Sequence, residues 1–144
     1  MNKHSSILHD HIVGFGGFFF KSQDPKGLTK WYQEMLGFTT QVPYSDDDTA
    51  ITFRWKSLDG INQNTVWAPF KEDGDYFAPS EKEWMINLIV KEIEELITKL
   101  TALGIQQIGE IEEKPYGKFA WILDPESNKI ELWEPNSEFF ADKY

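Results

Sequence analysis

Apolar residues run through this chain in two rhythms. Residues 12–21, IVGFGGFFFK, form a β-prone apolar run interrupted by Gly14, Gly16 and Gly17, and residues 84–90, WMINLIV, form another. After each run the period lengthens. Leu28, Trp31, Tyr32, Met35 and Leu36 recur at helical spacing, as do Ile93, Leu96, Ile97, Leu100 and Leu103, so each set predicts one apolar stripe on a helix. Helix ends are marked as well. Asp24 is placed to cap the first helix with Pro25 at its first position, and Gly37 and Gly104 follow the stripes where a left-handed cap ends a helix.

The pattern then repeats. Phe53, Trp55, Trp67 and Pro69 return as Phe119, Trp121, Trp133 and Pro135 at a constant offset, and LGF at 36–38 returns as LGI at 103–105. Each copy reads as strand, helix and three further strands: roughly 39–43, 49–56 and 64–68 in the first, and 106–112, 117–123 and 128–133 in the second. The expectation is an α+β fold in a single domain over residues 1–144, built as two tandem βαβββ modules. These span about 12–70 and 84–135, joined by a polar, turn-rich linker at about 71–83. The tail NSEFFADKY either frays or docks through Phe139 and Phe140.

Composition narrows the function. A chain of 144 residues that is 40% hydrophobic builds one core. It has no cysteine, so disulfides and thiolate chemistry are excluded, and a metal would need His, Asp or Glu. The three histidines, His4, His9 and His11, all precede the first strand. A formal net charge of −10 with Arg54 as the single arginine argues against nucleic acid, and Arg54 itself alternates toward the surface as an ion-pair partner. No apolar run is long enough for a signal peptide or a membrane span, so a cytoplasmic protein without a membrane partner is expected. YSDDDTA, residues 44–50, has the acids of a calcium loop without the spacing and reads as a solvated turn.

Asp24-Pro25, Trp31-Tyr32 and LGF in the first copy, with LDPESNKIELWEP at 123–135 in the second, resemble the vicinal oxygen chelate superfamily. That superfamily includes glyoxalase I, extradiol dioxygenases, fosfomycin-resistance enzymes and bleomycin-resistance proteins, and the likeness covers residues 12–135. The resemblance implies curved sheets enclosing a cleft, with helices outside. It also implies metal positions on the first and last strand of each module, which fall here on Gly17, Thr65, Met85 and Glu131. Only Glu131 can ligate a divalent ion, so no cofactor is expected and a metal is disfavoured. His9 and His11 could restore ligands only by folding back toward Glu131.

Alternation then fills the cleft. Ile130 and Leu132 are expected to face the helices, leaving Glu131 and Trp133 in the cleft with Thr65 and Trp67 from the matching strand, Phe15, Gly17 and Phe19 from the first, and Met85, Asn87 and Ile89 from the fifth. Phe53, Trp55, Phe119 and Trp121 complete an aromatic wall, with Tyr116 or Lys118 at the rim. The residues expected to touch a ligand are Phe19, Phe53, Trp55, Thr65, Trp67, Met85, Asn87, Trp121, Glu131 and Trp133. Glu131 is then a general acid or base, the partner of a ligand cation, or a carboxylate satisfied by a protein lysine or by water. Three functions remain open. The first is metal-independent binding of a cationic or aromatic small molecule, as in bleomycin-resistance proteins. The second is a glyoxalase-like lyase or isomerase using Glu131 or an unconventional metal site, and the third an interaction module whose cleft is filled by its own side chains. Open sheet edges predict a homodimer.

Overall fold

The computed structural model describes residues 10–39 and 49–141. Among these, β1 (Ile12–Ser22), β2 (Ile51–Lys56), β3 (Asn62–Lys71), β4 (Trp84–Val90), β5 (Glu112–Lys114), β6 (Gly117–Leu123) and β7 (Lys129–Pro135) form one sheet. The strand order is β2-β3-β1-β4-β7-β6-β5. Three helices, α1 (Pro25–Leu36), α2 (Ile93–Ala102) and the short α3 (Ser137–Phe140), complete an α+β fold of the expected class.

The two apolar runs meet at the sheet centre, where β1 and β4 pair antiparallel, Gly17 opposite Asn87 and Phe19 opposite Met85. Outside them lie parallel neighbours, β3 on β1 and β7 on β4. Parallel neighbours cannot be joined by a tight turn, so the helical stretches between the strands serve as the crossovers. Residues that pair across the centre therefore come from distant parts of the chain.

Helix signals in the sequence hold at both ends of α1. The Asp24 side chain accepts from the Gly27 amide at 3.1 Å, and Gly37 closes the helix at φ 72°. Its apolar stripe is only half used, because Tyr32 packs on Trp67 while Trp31, Met35 and Leu36 stay 50%, 63% and 58% exposed. In α2 most of the stripe is buried: Ile93, Leu96 and Ile97 close with Val90, Ala120 and Leu132 into a second core with Leu100 packed against it, whereas Leu103, past the helix end, is 37% exposed. Each buried side chain contributes about 1.5–3 kcal/mol. Glu92 makes no side-chain cap, and the first amide of α2, that of Ile93, donates instead to the Glu134 carboxylate at 2.7 Å.

Two strand expectations need comment. The strand at 39–43 and most of YSDDDTA fall on residues 40–48, outside those described. The strand expected at 106–112 is absent; one bridge joins Gln107 to Ile122, and β5 begins only at Glu112. Gly109, at φ 71°, turns the chain between them and prevents a continuous ladder. At the other end the tail docks, with Phe140 buried against Trp133 at 5.9 Å. No helix among the described residues is long and apolar enough to cross a membrane.

Candidate functional site

Helices α1 and α2 pack on one face of the sheet; the other face holds a cavity of about 190 Å³. Its walls are apolar and mostly aromatic, from Phe19 on β1, Val66, Ala68 and Phe70 on β3, Phe119 and Trp121 on β6, and Trp133 on β7, with Tyr116 just before β6. Phe119 lies parallel to Trp133, ring centres 6.0 Å apart. Gly16, Asn87 and Glu131 form the polar end, and Glu112 and Lys114 also line the cavity. The cleft is therefore open to an occupant rather than filled by its own side chains, which counts against the interaction-module alternative.

Glu131 is 3% exposed. Its position follows from register: β7 runs parallel to β4 with Glu131 opposite Asn87, and antiparallel to β6 with Glu131 opposite Trp121. Both partners donate to the carboxylate, Asn87 Nδ2 to Oε1 at 3.1 Å and Trp121 Nε1 to Oε2 at 3.3 Å. A third donor, the Tyr76 hydroxyl, reaches Oε2 at 2.9 Å. Burial nevertheless wins. Loss of solvent pushes the Glu131 pKa up to about 7, against the three hydrogen bonds and the nearby Lys129 charge, which pull it down. The same burial, with the Glu131 charge beside it, raises the Tyr76 hydroxyl far above its ordinary value.

Tyr76 belongs to the segment read as a linker. Phe77 anchors that segment, buried at 2% exposure and packed on Phe70, which leaves Tyr76 across the cavity mouth with its ring against Phe70 and Trp121. Lys129 holds it there. Two residues before Glu131 and so on the same face, Lys129 donates to the Tyr76 carbonyl at 2.7 Å and lies 5.3 Å from the Tyr76 ring and 5.8 Å from that of Trp121. Burial lowers the Lys129 pKa, opposed by the Glu131 charge.

Of the ten residues expected at the ligand, the structure brings Phe19, Asn87, Trp121, Glu131 and Trp133 to the cavity. Met85 is fully buried in the core beside Phe19 and does not line it. Phe53, Trp55, Thr65 and Trp67 are corrected. Val66, Ala68 and Phe70 of β3 face the cavity, so Thr65 and Trp67 point the other way, and Trp67 packs with Phe20, Tyr32 and Phe38 under α1. Phe53 meets Phe38 on that side, and Trp55 lies across Gly14 with its Nε1 donating to the Thr65 hydroxyl at 2.8 Å. The constant offset aligned residue types, but β3 is out of phase with β7 by one residue. A one-residue displacement exchanges the faces of a strand. Phe15 is likewise 45% exposed, because a bulge between Phe15 and Gly17 hands its place on the cavity side to Gly16.

At the rim Tyr116 is present, whereas Lys118 leaves for Glu94 of α2 at 2.7 Å. His11 is also placed. It is buried at the far end of β1, its Nδ1 2.9 Å from the Lys91 carbonyl and its Nε2 3.1 Å from Lys99 Nζ. Glu92 and Glu95 are its acidic neighbours there, so it takes no part in the cavity; His9 lies outside the described residues. Sequence reasoning missed Tyr76, Phe70 and Lys129. Only Lys129 carried a signal, its spacing of two from Glu131.

Gly16 is required where it stands. A Cβ there would sit 2.1 Å from Asn87 Oδ1 and 2.9 Å from Ile89 Cγ1, and Asn87 has no free space to retreat into at 1% exposure. Gly16→Ala is expected to displace the Asn87 amide from Glu131 and to cost about 1–3 kcal/mol in urea unfolding. An unchanged midpoint would show that the bulge relaxes freely.

The chain matches the family model of the glyoxalase-like domain over residues 17–133. No curated protein matches it in sequence. Among solved structures it is similar to methylmalonyl-CoA epimerase from Mycobacterium tuberculosis, at 14% identity and TM-score 0.55, with 90% of this chain and 93% of the other covered. A glyoxalase/bleomycin resistance protein/dioxygenase superfamily member from Vibrio splendidus 12B01 is 14% identical at TM-score 0.53, covering 85% of this chain and 98% of its own. A variant of Streptomyces coelicolor methylmalonyl-CoA epimerase, in complex with 2-nitronate-propionyl-CoA, reaches TM-score 0.64 at 10% identity over 88% and 96% of the two chains. At these identities the likeness is one of fold.

Proposed function

The chain belongs to the glyoxalase-like domain family, and on that premise we propose that it binds a small aromatic or cationic molecule in the cavity over Glu131, without a metal ion. One observation carries this: an aromatic-walled cavity of about 190 Å³ ends on a buried carboxylate. Apolar walls supply the affinity, and a few convergent polar groups at one end fix orientation. An anionic anchor among aromatic faces favours positive charge, and the chain's net charge of −10 attracts a cation from a distance.

Metal independence is supported by the donor set. Gly17 and Met85 cannot ligate, and Val66 and Ala68 hold the β3 face from which Thr65 has turned away. Among the described residues, the only group of three potential ligands is His11 with Glu92 and Glu95, away from the cavity. Glu131 and Glu112 are the carboxylates that line the cavity, and among the described residues they belong to no group of three potential ligands, so a divalent ion there would be mostly hydrated and weakly held.

Calorimetry against monocyclic aromatic cations and their neutral counterparts tests the proposal. One-to-one binding that survives a chelator is expected, and uniform absence of heat or of fluorescence change would end it.

A second reading has its own observation. A carboxylate raised to about 7 is half ionised near neutrality, which suits a general acid or base in a lyase or isomerase. Here Glu131 would take a proton next to a substrate carbonyl and return it, with Tyr76 and Asn87 holding the carboxylate in place. A turnover that Glu131→Gln leaves intact would dispose of this reading.

A further inference from the structure

Away from the cavity, the residue just before β1 is a buried imidazole that the proposed ligand does not touch. His11 is 3% exposed and is tied twice to Lys91, the residue after β4: its carbonyl accepts from the Lys91 amide at 2.9 Å, and its Nδ1 lies 2.9 Å from the Lys91 carbonyl. A carbonyl only accepts, so Nδ1 carries the hydrogen and Nε2 keeps its lone pair. Imidazoles that ligate metals are held in this way, with a backbone carbonyl on one ring nitrogen fixing the tautomer and the direction of the other.

The surroundings of the ring suit that role. Glu92 and Glu95 stand at the start of α2, and one oxygen of each forms, with a ring nitrogen of His11, a group whose atoms all lie within 4.8 Å of one another. Glu92 makes no cap to its helix, so its carboxylate is not committed to the first amides of α2. The two carboxyls are also close enough to share a hydrogen bond. Two acids beside an open nitrogen call for a cation.

Lys99 is the cation in place. Its ammonium lies 3.1 Å from His11 Nε2 and 3.4 Å from Glu95 Oε1, so it occupies the space between imidazole and acid. Its hold is weak, because its side chain is 31% exposed and that of Glu95 55%, and an exposed helix pair four residues apart shifts an equilibrium by only about 2-fold. Turned to solvent, Lys99 leaves three donors converging on one position. The geometry points to a divalent transition-metal site at His11, Glu92 and Glu95, with water completing the shell and the Lys99 ammonium as its competitor. A nitrogen ligand among the carboxylates selects zinc and its neighbours over calcium and magnesium, which favour oxygen alone. The ion would tie the chain before β1 to the first turn of α2. It shares no residue with the cavity, so either proposal can fail without the other.

The experiment is a calorimetric titration of the whole chain, stripped with a chelator, with zinc, calcium and magnesium chlorides, together with thermal unfolding with and without zinc. One zinc ion per chain is expected, bound at least about 100-fold more tightly than calcium or magnesium and raising the melting temperature. Glu95→Gln, an isosteric change on the helix surface, is expected to weaken zinc at least about 10-fold, and Lys99→Met to tighten it about 3-fold or more. His4→Gln combined with His9→Gln is expected to leave zinc binding unchanged. Absence of zinc binding, calcium bound as tightly as zinc, or zinc that Glu95→Gln leaves undisturbed overturns the inference. A Lys99→Met variant that binds zinc no better than the parent overturns it too. Loss of zinc in the His4 and His9 variant overturns it by marking an adventitious ion on those two side chains.

Discussion

Replacing Glu131 by glutamine is expected to make the folded chain more stable at pH 8 than the parent, and to leave the two nearly equal at pH 4.5. The folded pKa of Glu131 is raised by burial to about 7 from an ordinary 4.5. A raised carboxyl pKa means that the native state binds the extra proton between those values. Its contribution is therefore fully present below about pH 4.5 and is lost as the pH climbs through about 7. Over that window the loss amounts to about 3 kcal/mol, and the glutamine variant does not suffer it. Asp59, Glu94 and Asp124 have lowered pKa values, chiefly from hydrogen bonds to Ser57, Lys118 and Asn128, so what they contribute is lost only as the pH falls below their ordinary range. Both proteins share that acid limb, and it cancels in the difference. Urea unfolding of parent and variant at half-unit steps from pH 4.5 to 8.5 measures it; a flat difference would mean that Glu131 is solvated. Ligand binding is expected to move in the opposite sense. At pH 8 the variant loses an aromatic cation by about 30-fold or more, the usual cost of removing one side of a desolvated charge pair.

Trp133→Ala is expected to cost about 3–5 kcal/mol, the largest single-residue loss on the cavity side. Trp133 is 2% exposed and stacks on Phe119, and Phe140 of α3 packs on its edge. Its Nε1 donates to the Tyr116 carbonyl at 3.1 Å, so removal also breaks a tie to the turn before β6, leaving that carbonyl only the Asn136 amide at 3.2 Å. Gly117 makes room for the indole, since a Cβ there would lie 2.6 Å from Trp133 Nε1 in a backbone at φ 144°. Chemical denaturation checks the loss. Trp133→Phe, which keeps the stack and drops only the hydrogen bond, is expected to recover most of it. An alanine variant within about 1 kcal/mol of the parent would show that the aromatic wall is a liner and not a support.

Much of the site could be read from residues whose partners lie close in the pattern. Glu131, Trp133 and Asn87 sit on strands with clean alternation, and so their faces were legible. Phe53, Trp55, Thr65 and Trp67 were assigned by a constant offset to the second half, and that offset carried no information about which face β3 turns inward. The aromatic bed of Phe20, Tyr32 and Phe38 took Trp67, and the rest of the strand followed. Tyr76 could not have been found, because a polar segment between two periodic runs gives no face to assign.

The sequence alone determined the α+β class, both helix positions and their stripes, the cap at Asp24, and the single carboxylate among apolar neighbours. These depend on local period and on side-chain chemistry, which a linear pattern records. Tertiary structure decided the register of β3 against β1, the bulge that gives Gly16 to the cavity, the strap that brings Tyr76 to Glu131, and the orphaned oxygen of Asn87. Each of these is a relation between residues far apart along the chain, settled by which contacts can be satisfied together, and no stretch of sequence encodes it by itself.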